Sequence, residues 1–378
     1  MYRSAVVELP DLADDLARSG AGDLSMGEAN DRDAATPSLA VTTASPAPLA
    51  QLIAGDFNHD NQIDIVARGP AGDLSIYLAT GGGAFASPRP IGSAPAASQA
   101  WAGDLDGDRT LDVVLLDGSD VITFLRGDGD GSFAPPLART VGEHAPASTP
   151  WAHLLQPLCA EQVDSDARLV LVGTFFSDQI DALHMHSFGA GYYQVGASGG
   201  GTFGEADLSF AGALFDDVGP MTASVSCAAH GVVGLYYQTD SSGDDRYFEA
   251  GTAQGGDRED DYNAQSIVSL RDGTIVANMA GPFLTGPTTW VYRPHFRQRS
   301  GTPPSLMLAL HASLAGDFDG DGADDIYDAA GQIALGPGFS RVVTTPALAA
   351  SLVGDFDGDG RDDLVSMNLT NFTVWLSR

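Results

Sequence analysis

Apolar residues along this chain come in runs of three to six, bounded by Asp, Gly and Asn, a length and punctuation that predict short β-strands and leave no room for long helices. One arrangement of these runs recurs. LAQLIA (49–54), SQAWA (98–102), HASLA (311–315) and LAASLV (348–353) each lead into an acidic decapeptide, respectively GDFNHDNQID (55–64), GDLDGDRTLD (103–112), GDFDGDGADD (316–325) and GDFDGDGRDD (354–363). A second apolar run follows each one: IVA, VVLL, IYDA and LVSM. In the first two copies a third run, LSIYLA or VITFL, leads to a Gly-rich turn ending in Phe, GGGAF (81–85) or GDGSF (129–133), which starts 25 residues after the first Asp in both. Such matching offsets describe a repeat of antiparallel strands, the signature of a propeller or solenoid.

Between about 147 and 303 the acidic motif is absent but its punctuation persists. GGGTF, beginning at Gly199, ends another strand-like stretch; ARLVLVGTFF (167–176) reads as the strand after a decayed loop at Asp164 and Asp166; SIVSLRDGTIVAN (266–278) is a hairpin pattern turning at Asp-Gly. The interval from Asp104 to Asp317 holds three more units at roughly the spacing between Asp56 and Asp104, seven in all. After Asp363 only two strands remain, while SLAVTTA (38–44) stands unassigned ahead of the first unit, so the expected ring closes by pairing 38–44 with 372–377. The expected units are 49–96, 97–146, 147–211, 212–253, 254–303, 304–346 and 347–378 with strand 38–44. Residues 1–37 read as an N-terminal tail with room for a brief helix at DLADDLAR (11–18).

Composition sharpens this. Gly (46) and Pro (21) favour turns, and 43% hydrophobic residues suffice for a packed core. The net charge is −32; every one of the 18 basic residues is Arg, and Asp outnumbers Glu by 43 to 7. That balance argues against nucleic acid and anionic lipid as partners. The Asp excess points to turns and oxygen-ligand loops, although a salt-adapted or GC-rich source would also lean acidic. No apolar run is long enough to span a bilayer, and the first 30 residues lack the pattern of a signal peptide.

Within each acidic loop, carboxylates at positions 1, 3, 5 and 9 would surround one centre, with Gly at 4 or 6 allowing the curl and a position-7 carbonyl adding a ligand. Hard oxygens in that number suit Ca²⁺. The candidate ligands are Asp56, Asn58, Asp60 and Asp64; Asp104, Asp106, Asp108 and Asp112; Asp317, Asp319, Asp321 and Asp325; and Asp355, Asp357, Asp359 and Asp363. The first set has one carboxylate fewer and is expected to bind more weakly. An EF-hand would need a 12-residue loop with a final Glu and flanking helices, which these nine-residue loops between strands do not offer. The loops and their strand context resemble the FG-GAP/VCBS repeats, the family that includes the integrin α-subunit β-propeller and many bacterial surface and secreted proteins. The resemblance implies an all-β, seven-bladed β-propeller with about four structural Ca²⁺ ions in the loops joining the first two strands of a blade, and ligands on the opposite face or between blades.

Other candidates carry less. GASGG (196–200) matches a nucleophile elbow at Ser198, but that elbow needs a strand-turn-helix setting, and Ser198 precedes what reads as a hairpin turn. His184 and His186 would share one face of a strand and suit a transition metal, with His153 or His230 as a third ligand, or serve structure alone. Tyr192, Tyr193, Tyr236, Tyr237, Trp151 and Trp290 would line a carbohydrate surface or fill a core; RPHFRQR (293–299) is the one basic cluster. Cys159 and Cys227 fall in neighbouring units and would either pair or stay as thiols. The resulting expectation is a monomeric, calcium-stabilised, non-catalytic extracellular or cell-surface module that binds or adheres to protein or glycan. The alternative is a polysaccharide lyase or hydrolase on the same scaffold, using His184, His186, Tyr192 and Arg293.

Overall fold

The computed structural model describes residues 37–93, 99–104, 108–116, 121–140, 152–162, 169–180, 186–195, 209–215, 222–227, 233–238, 244–249, 254–259, 263–272, 274–280, 288–292 and 306–378, with only the backbone described from 152 to 265. These residues belong to the compact unit Ala35–Arg378. The tail and the helix expected at 11–18 lie outside them.

The described residues are all-β, without a helix, and contain seven four-stranded antiparallel sheets and a two-stranded one. The first sheet is Gln51–Gly55, Asp64–Arg68, Asp73–Tyr77 and Arg89–Ser93; the second is Gln99–Gly103, Asp112–Leu116, Val121–Leu125 and Leu137–Thr140. The third is Ala152–Gln162, Leu169–Ile180, His186–Val195 and Ser209–Phe215; the fourth is Thr222–Cys227, Val233–Gln238, Asp244–Glu249 and Gln254–Glu259. The fifth is Asn263–Ser269, Ile275–Ala280, Thr288–Tyr292 and Leu306–Leu308; the sixth is Leu314–Gly316, Asp325–Asp328, Gln332–Leu335 and Arg341–Thr344. The seventh takes Ala350–Gly354, Asp363–Met367 and Asn371–Ser377 from the C-terminal end and Pro37–Ala44 from the N-terminal end. That last pairing runs antiparallel from Pro37 opposite Ser377 to Ala44 opposite Asn371.

Sheet boundaries depart from equal spacing in the middle of the chain. Gln254–Glu259 ends the fourth sheet instead of opening the fifth, Leu306–Leu308 ends the fifth instead of opening the sixth, and Ser209–Phe215 crosses the expected border at 211. The reason is strand length: the first three strands of the third sheet have 11, 12 and 10 residues, against five in each of the corresponding strands of the first.

The core lies between adjacent sheets, and strand alternation feeds it from both sides. In Asp64–Arg68 every residue is buried. Ile65 and Ala67 pack with Val365, Phe372, Val374 and Leu376 of the seventh sheet, whereas Val66 packs with Ala100, Val113 and Leu115 of the second. Successive side chains point to opposite faces, so one strand bonds two interfaces. The first strands of the sheets neighbour one another in sequence order, and Gln51–Gly55 also neighbours Ala350–Gly354 of the seventh. The acidic loops join the first and second strands of their sheets.

Candidate metal-binding loops and their junctions

Each acidic loop is wound around its own carboxylates. In the seventh loop, Asp355 Oδ1 accepts the N–H groups of Gly358 and Asp359 at 2.7 and 3.1 Å, and its Oδ2 accepts Gly360 N–H at 2.9 Å. The sixth repeats this: Asp317 takes Gly320, Asp321 and Gly322 N–H at 2.8, 3.0 and 2.9 Å. The first loop does the same with Asp56, which accepts Asp60 and Asn61 N–H at 3.1 and 2.9 Å; in the second, Asp104 accepts Arg109 N–H at 2.9 Å. Winding this tightly needs left-handed backbone at positions 4 and 6. Gly358 and Gly360 supply it at φ 81° and 86°, while the first loop holds His59 and Asn61 there at 60° and 61°.

Position 9 has a different task. Asp64, Asp112, Asp325 and Asp363 are fully buried. In the first, sixth and seventh loops one oxygen accepts the N–H of the position-2 Phe (Phe57, Phe318 and Phe356, at 3.1, 2.9 and 3.0 Å). The other accepts an N–H beyond the third strand or at its end: Ala79, Gly336 and Ser377, at 2.8, 2.7 and 2.8 Å, as Gly127 N–H does with Asp112 at 2.8 Å. The ninth carboxylate is thus a clamp that closes its loop onto the sheet. Burial pushes the carboxyls of Asp64, Asp325 and Asp363 up to about 6, 7 and 7, despite those N–H donors and with neighbouring loop carboxylates adding to the rise. A cation in the loop would oppose that rise.

Among the described residues, the donor sets converge as for a divalent cation in two loops. Oxygens of Asp317, Asp319 and Asp325 lie within 4.8 Å of one another, as do those of Asp355, Asp357 and Asp359. A centre with calcium-oxygen bonds of about 2.3–2.6 Å is compatible with such spacing. In the sixth loop Asp321 accepts Ala323 N–H at 2.8 Å. In the first, Asn58 stands at position 3 and donates its amide to Asp60 Oδ2 at 3.0 Å. In the second, Arg126 donates to Asp108 Oδ2 at 2.7 Å, while Asp106 lies outside the described residues. In the seventh, Arg378 lies 3.1 Å from Asp357 Oδ2.

The first, sixth and seventh loops are also junctions to the following sheet. The carbonyl of Phe57 accepts Gly131 N–H at 3.0 Å from the GDGSF turn of the second sheet, and Phe356 accepts Gly83 N–H at 3.2 Å from the GGGAF turn of the first. The rings follow: Phe57 meets Phe133 at 5.8 Å and Phe356 meets Phe85 at 6.3 Å between centroids. The glycines opening the first, sixth and seventh loops sit under the neighbour's position-8 side chain. A Cβ on Gly55 would lie 2.5 Å from Leu111 Cδ1, one on Gly354 2.7 Å from Ile63 Cδ1, and one on Gly316 2.9 Å from Asp362 Oδ2.

This last pairing exposes a group the loop motif alone does not reveal. Position 8 is Ile63 and Leu111 in the first two loops but Asp324 and Asp362 in the last two. Arg271, at the tight turn where the fifth sheet lacks an acidic loop, places Nε 3.2 Å from Asp324 Oδ1 and bonds Asp362 Oδ2 through Nη2. Asp324 Oδ2 accepts Arg271 N–H at 2.5 Å. The doubled Asp of GADD and GRDD, set against QID and TLD, was the sequence signal for it.

Trp290 is buried, 6% exposed, which places it in the core and removes it from a carbohydrate surface. Trp151, His184, Ser198, His230 and Arg293 lie outside the described residues, as do the side chains of His153, Cys159, His186, Tyr192, Tyr193, Cys227, Tyr236 and Tyr237. Among the described residues, no helix is long and apolar enough to cross a membrane.

Comparison with known proteins is consistent with this geometry. No curated protein matches the chain. Among solved structures, BBS1N in complex with ARL6DN is similar over 90% of this chain and 97% of that one, at 10% identity and a TM-score of 0.50. Chaetomium thermophilum Raptor is similar over 91% of this chain and 28% of its own, at 8% identity and a TM-score of 0.50. At these identities the likeness is one of fold, and that fold is propeller-like. The FG-GAP-like repeat model matches residues 56–115, from the first acidic residue of the first loop into the second strand of the second sheet. Over that stretch this chain is similar to the FG-GAP-like repeat family.

Proposed function

We propose that this chain is a calcium-stabilised interaction module: a seven-bladed propeller, closed by its N-terminal strand, that presents its surface to a protein or glycan ligand outside the cell and performs no chemistry on it. Seven four-stranded sheets with neighbouring first strands support the ring. The observation that carries the calcium reading is the convergence of carboxylate oxygens within 4.8 Å in the sixth and seventh loops. Asp317, Asp319, Asp321 and Asp325, and Asp355, Asp357, Asp359 and Asp363, would hold the ions there; Asp56, Asn58, Asp60 and Asp64, and Asp104, Asp106, Asp108 and Asp112, would hold two more. The bound ion would supply charge compensation, and the residues would supply position. Because the first, sixth and seventh loops also form junctions, neutralising them would stabilise the contacts between neighbouring sheets. A protein ligand has a precedent in this fold, since BBS1N is in complex with ARL6DN.

For a site with a dissociation constant of ~0.1 mM, ~1 mM calcium adds about 1.4 kcal/mol, and four independent sites about 5–6 kcal/mol. Melting curves in excess EDTA and in ~1 mM calcium should therefore be well separated; coincident curves overturn the calcium reading. A glycan array and a panel of purified surface proteins, probed with and without calcium, test the ligand class.

A further inference from the structure

The sixth and seventh loops are joined through the backbone of the residue around which the sixth is wound. Asp317 N–H donates to Asp362 Oδ2 at 2.7 Å, and Asp362 N–H donates back to the Asp317 carbonyl at 2.7 Å. Asp362 is covalently next to Asp363, the clamp of the seventh loop, and Asp317 carries the carboxylate that accepts three N–H groups of the sixth. Gly320 of the sixth loop also lies against the seventh loop's Arg361, whose Cγ would be 3.0 Å from a Cβ there. Arg271 then ties Asp362 to Asp324, so one guanidinium spans both loops. The side chains of Asp324 and Asp362 are only 5% and 9% exposed, while that of Arg271 is 46% exposed, so the carboxylates are shielded and solvent screens the contact from the arginine side alone.

The first and second loops are joined differently. Leu111 fills the place of Asp362 and makes an apolar contact over Gly55, and His59 Nε2 lies 2.9 Å from the Arg109 carbonyl at the exposed rim. No hydrogen bond among the described residues there grips the backbone N–H and C=O of the first acidic residue as Asp362 does at Asp317.

We infer that the sixth and seventh loops bind calcium as a coupled pair, with Asp362 and Arg271 as the positioning residues that transmit occupancy of one loop to the other. Ordering residues 355–363 around an ion fixes Asp362, which fixes the backbone from which Asp317 presents its carboxylate. The coupling is reciprocal, as any coupling of binding free energies must be. This inference rests on the calcium reading above.

Hydrogen exchange read by mass spectrometry during a calcium titration reports each loop through its own peptide. In the wild type, peptides covering 316–325 and 354–363 should gain protection together. In Asp357→Ala/Asp359→Ala, the midpoint for 316–325 should move about 5-fold or more to higher calcium, while that for 55–64 stays in place. Adding Asp362→Leu, a change for which Leu111 is the precedent, should reduce that movement to less than about 2-fold relative to Asp362→Leu alone. Asp362→Asn keeps an acceptor for Asp317 N–H but loses the charge facing Arg271, and should give an intermediate shift. A 316–325 midpoint that does not respond to loss of the seventh loop's ligands overturns the coupling and leaves the calcium reading standing. An absence of calcium-dependent protection at every loop overturns both.

Discussion

The junction between the first and second sheets and the junction between the sixth and seventh use one backbone device with two chemistries. In both, a loop-opening glycine lets the neighbouring position-8 side chain close over it: Leu111 over Gly55, and Asp362 over Gly316. Leu111 needs no partner beyond its apolar surroundings with Phe57 and Phe133. Asp362 needs the Asp317 N–H and the Arg271 guanidinium, and Arg271 in turn is held by Asp324. An apolar junction depends only on local shape, whereas an ionic one recruits a residue from a third sheet. It therefore ties more of the sheets together, and it is more exposed to loss of a single member, because the remaining charges stay buried.

Several changes would break or sharpen that contrast. Leu111→Asp should be the most damaging, about 4 kcal/mol, because it places an uncompensated carboxylate in the apolar junction; denaturant midpoints measure it, and a loss below about 1 kcal/mol would show that the two chemistries are interchangeable there. Arg271→Ala should cost about 2–3 kcal/mol, less than a fully buried pair because the arginine side chain is 46% exposed. The triple change Arg271→Met/Asp324→Leu/Asp362→Leu should recover most of that loss by converting the ionic junction to the apolar kind; a triple variant less stable than Arg271→Ala would contradict this. Asn58→Asp should have the smallest effect on stability: in EDTA it adds repulsion worth well under about 1 kcal/mol, while calcium affinity of the first loop rises about 10-fold. Calorimetric titration of that variant beside wild type checks both signs.

How much of this was legible beforehand follows from how local each feature is. The loop carboxylates and the left-handed positions lie within nine residues of one another, so a single line of sequence displays them. The pairing of 38–44 with the last strand was legible by subtraction, as a strand missing at one end and spare at the other. The bridge of Arg271 to Asp324 and Asp362 spans 53 and 91 residues and depends on which turns the sheet packing brings together, information no local pattern contains. The middle sheets' borders were misplaced because Ala152–Gln162 and Leu169–Ile180 are twice the length of the strands used to set the spacing. The clamp role of Asp64, Asp325 and Asp363 was hidden for another reason: a carboxylate that accepts backbone N–H groups and one that faces a cation occupy the same letter in the motif.

The closing strand has a mechanical consequence. Pro37 lies opposite Ser377, and Ala44 opposite Asn371, so residues 37 and 377 enter the ladder at the same end. A load applied across those two residues meets the inter-strand hydrogen bonds one pair at a time, as teeth of a zip, because antiparallel bonds lie across the strands. The same load applied across residues 44 and 377 would shear the whole ladder at once. Single-molecule pulling should therefore open the seventh sheet at distinctly lower force through 37 and 377 than through 44 and 377, and equal forces would refute the unzipping geometry. Pulled across residues 37 and 377, this pairing would act as a latch that tension opens from one end.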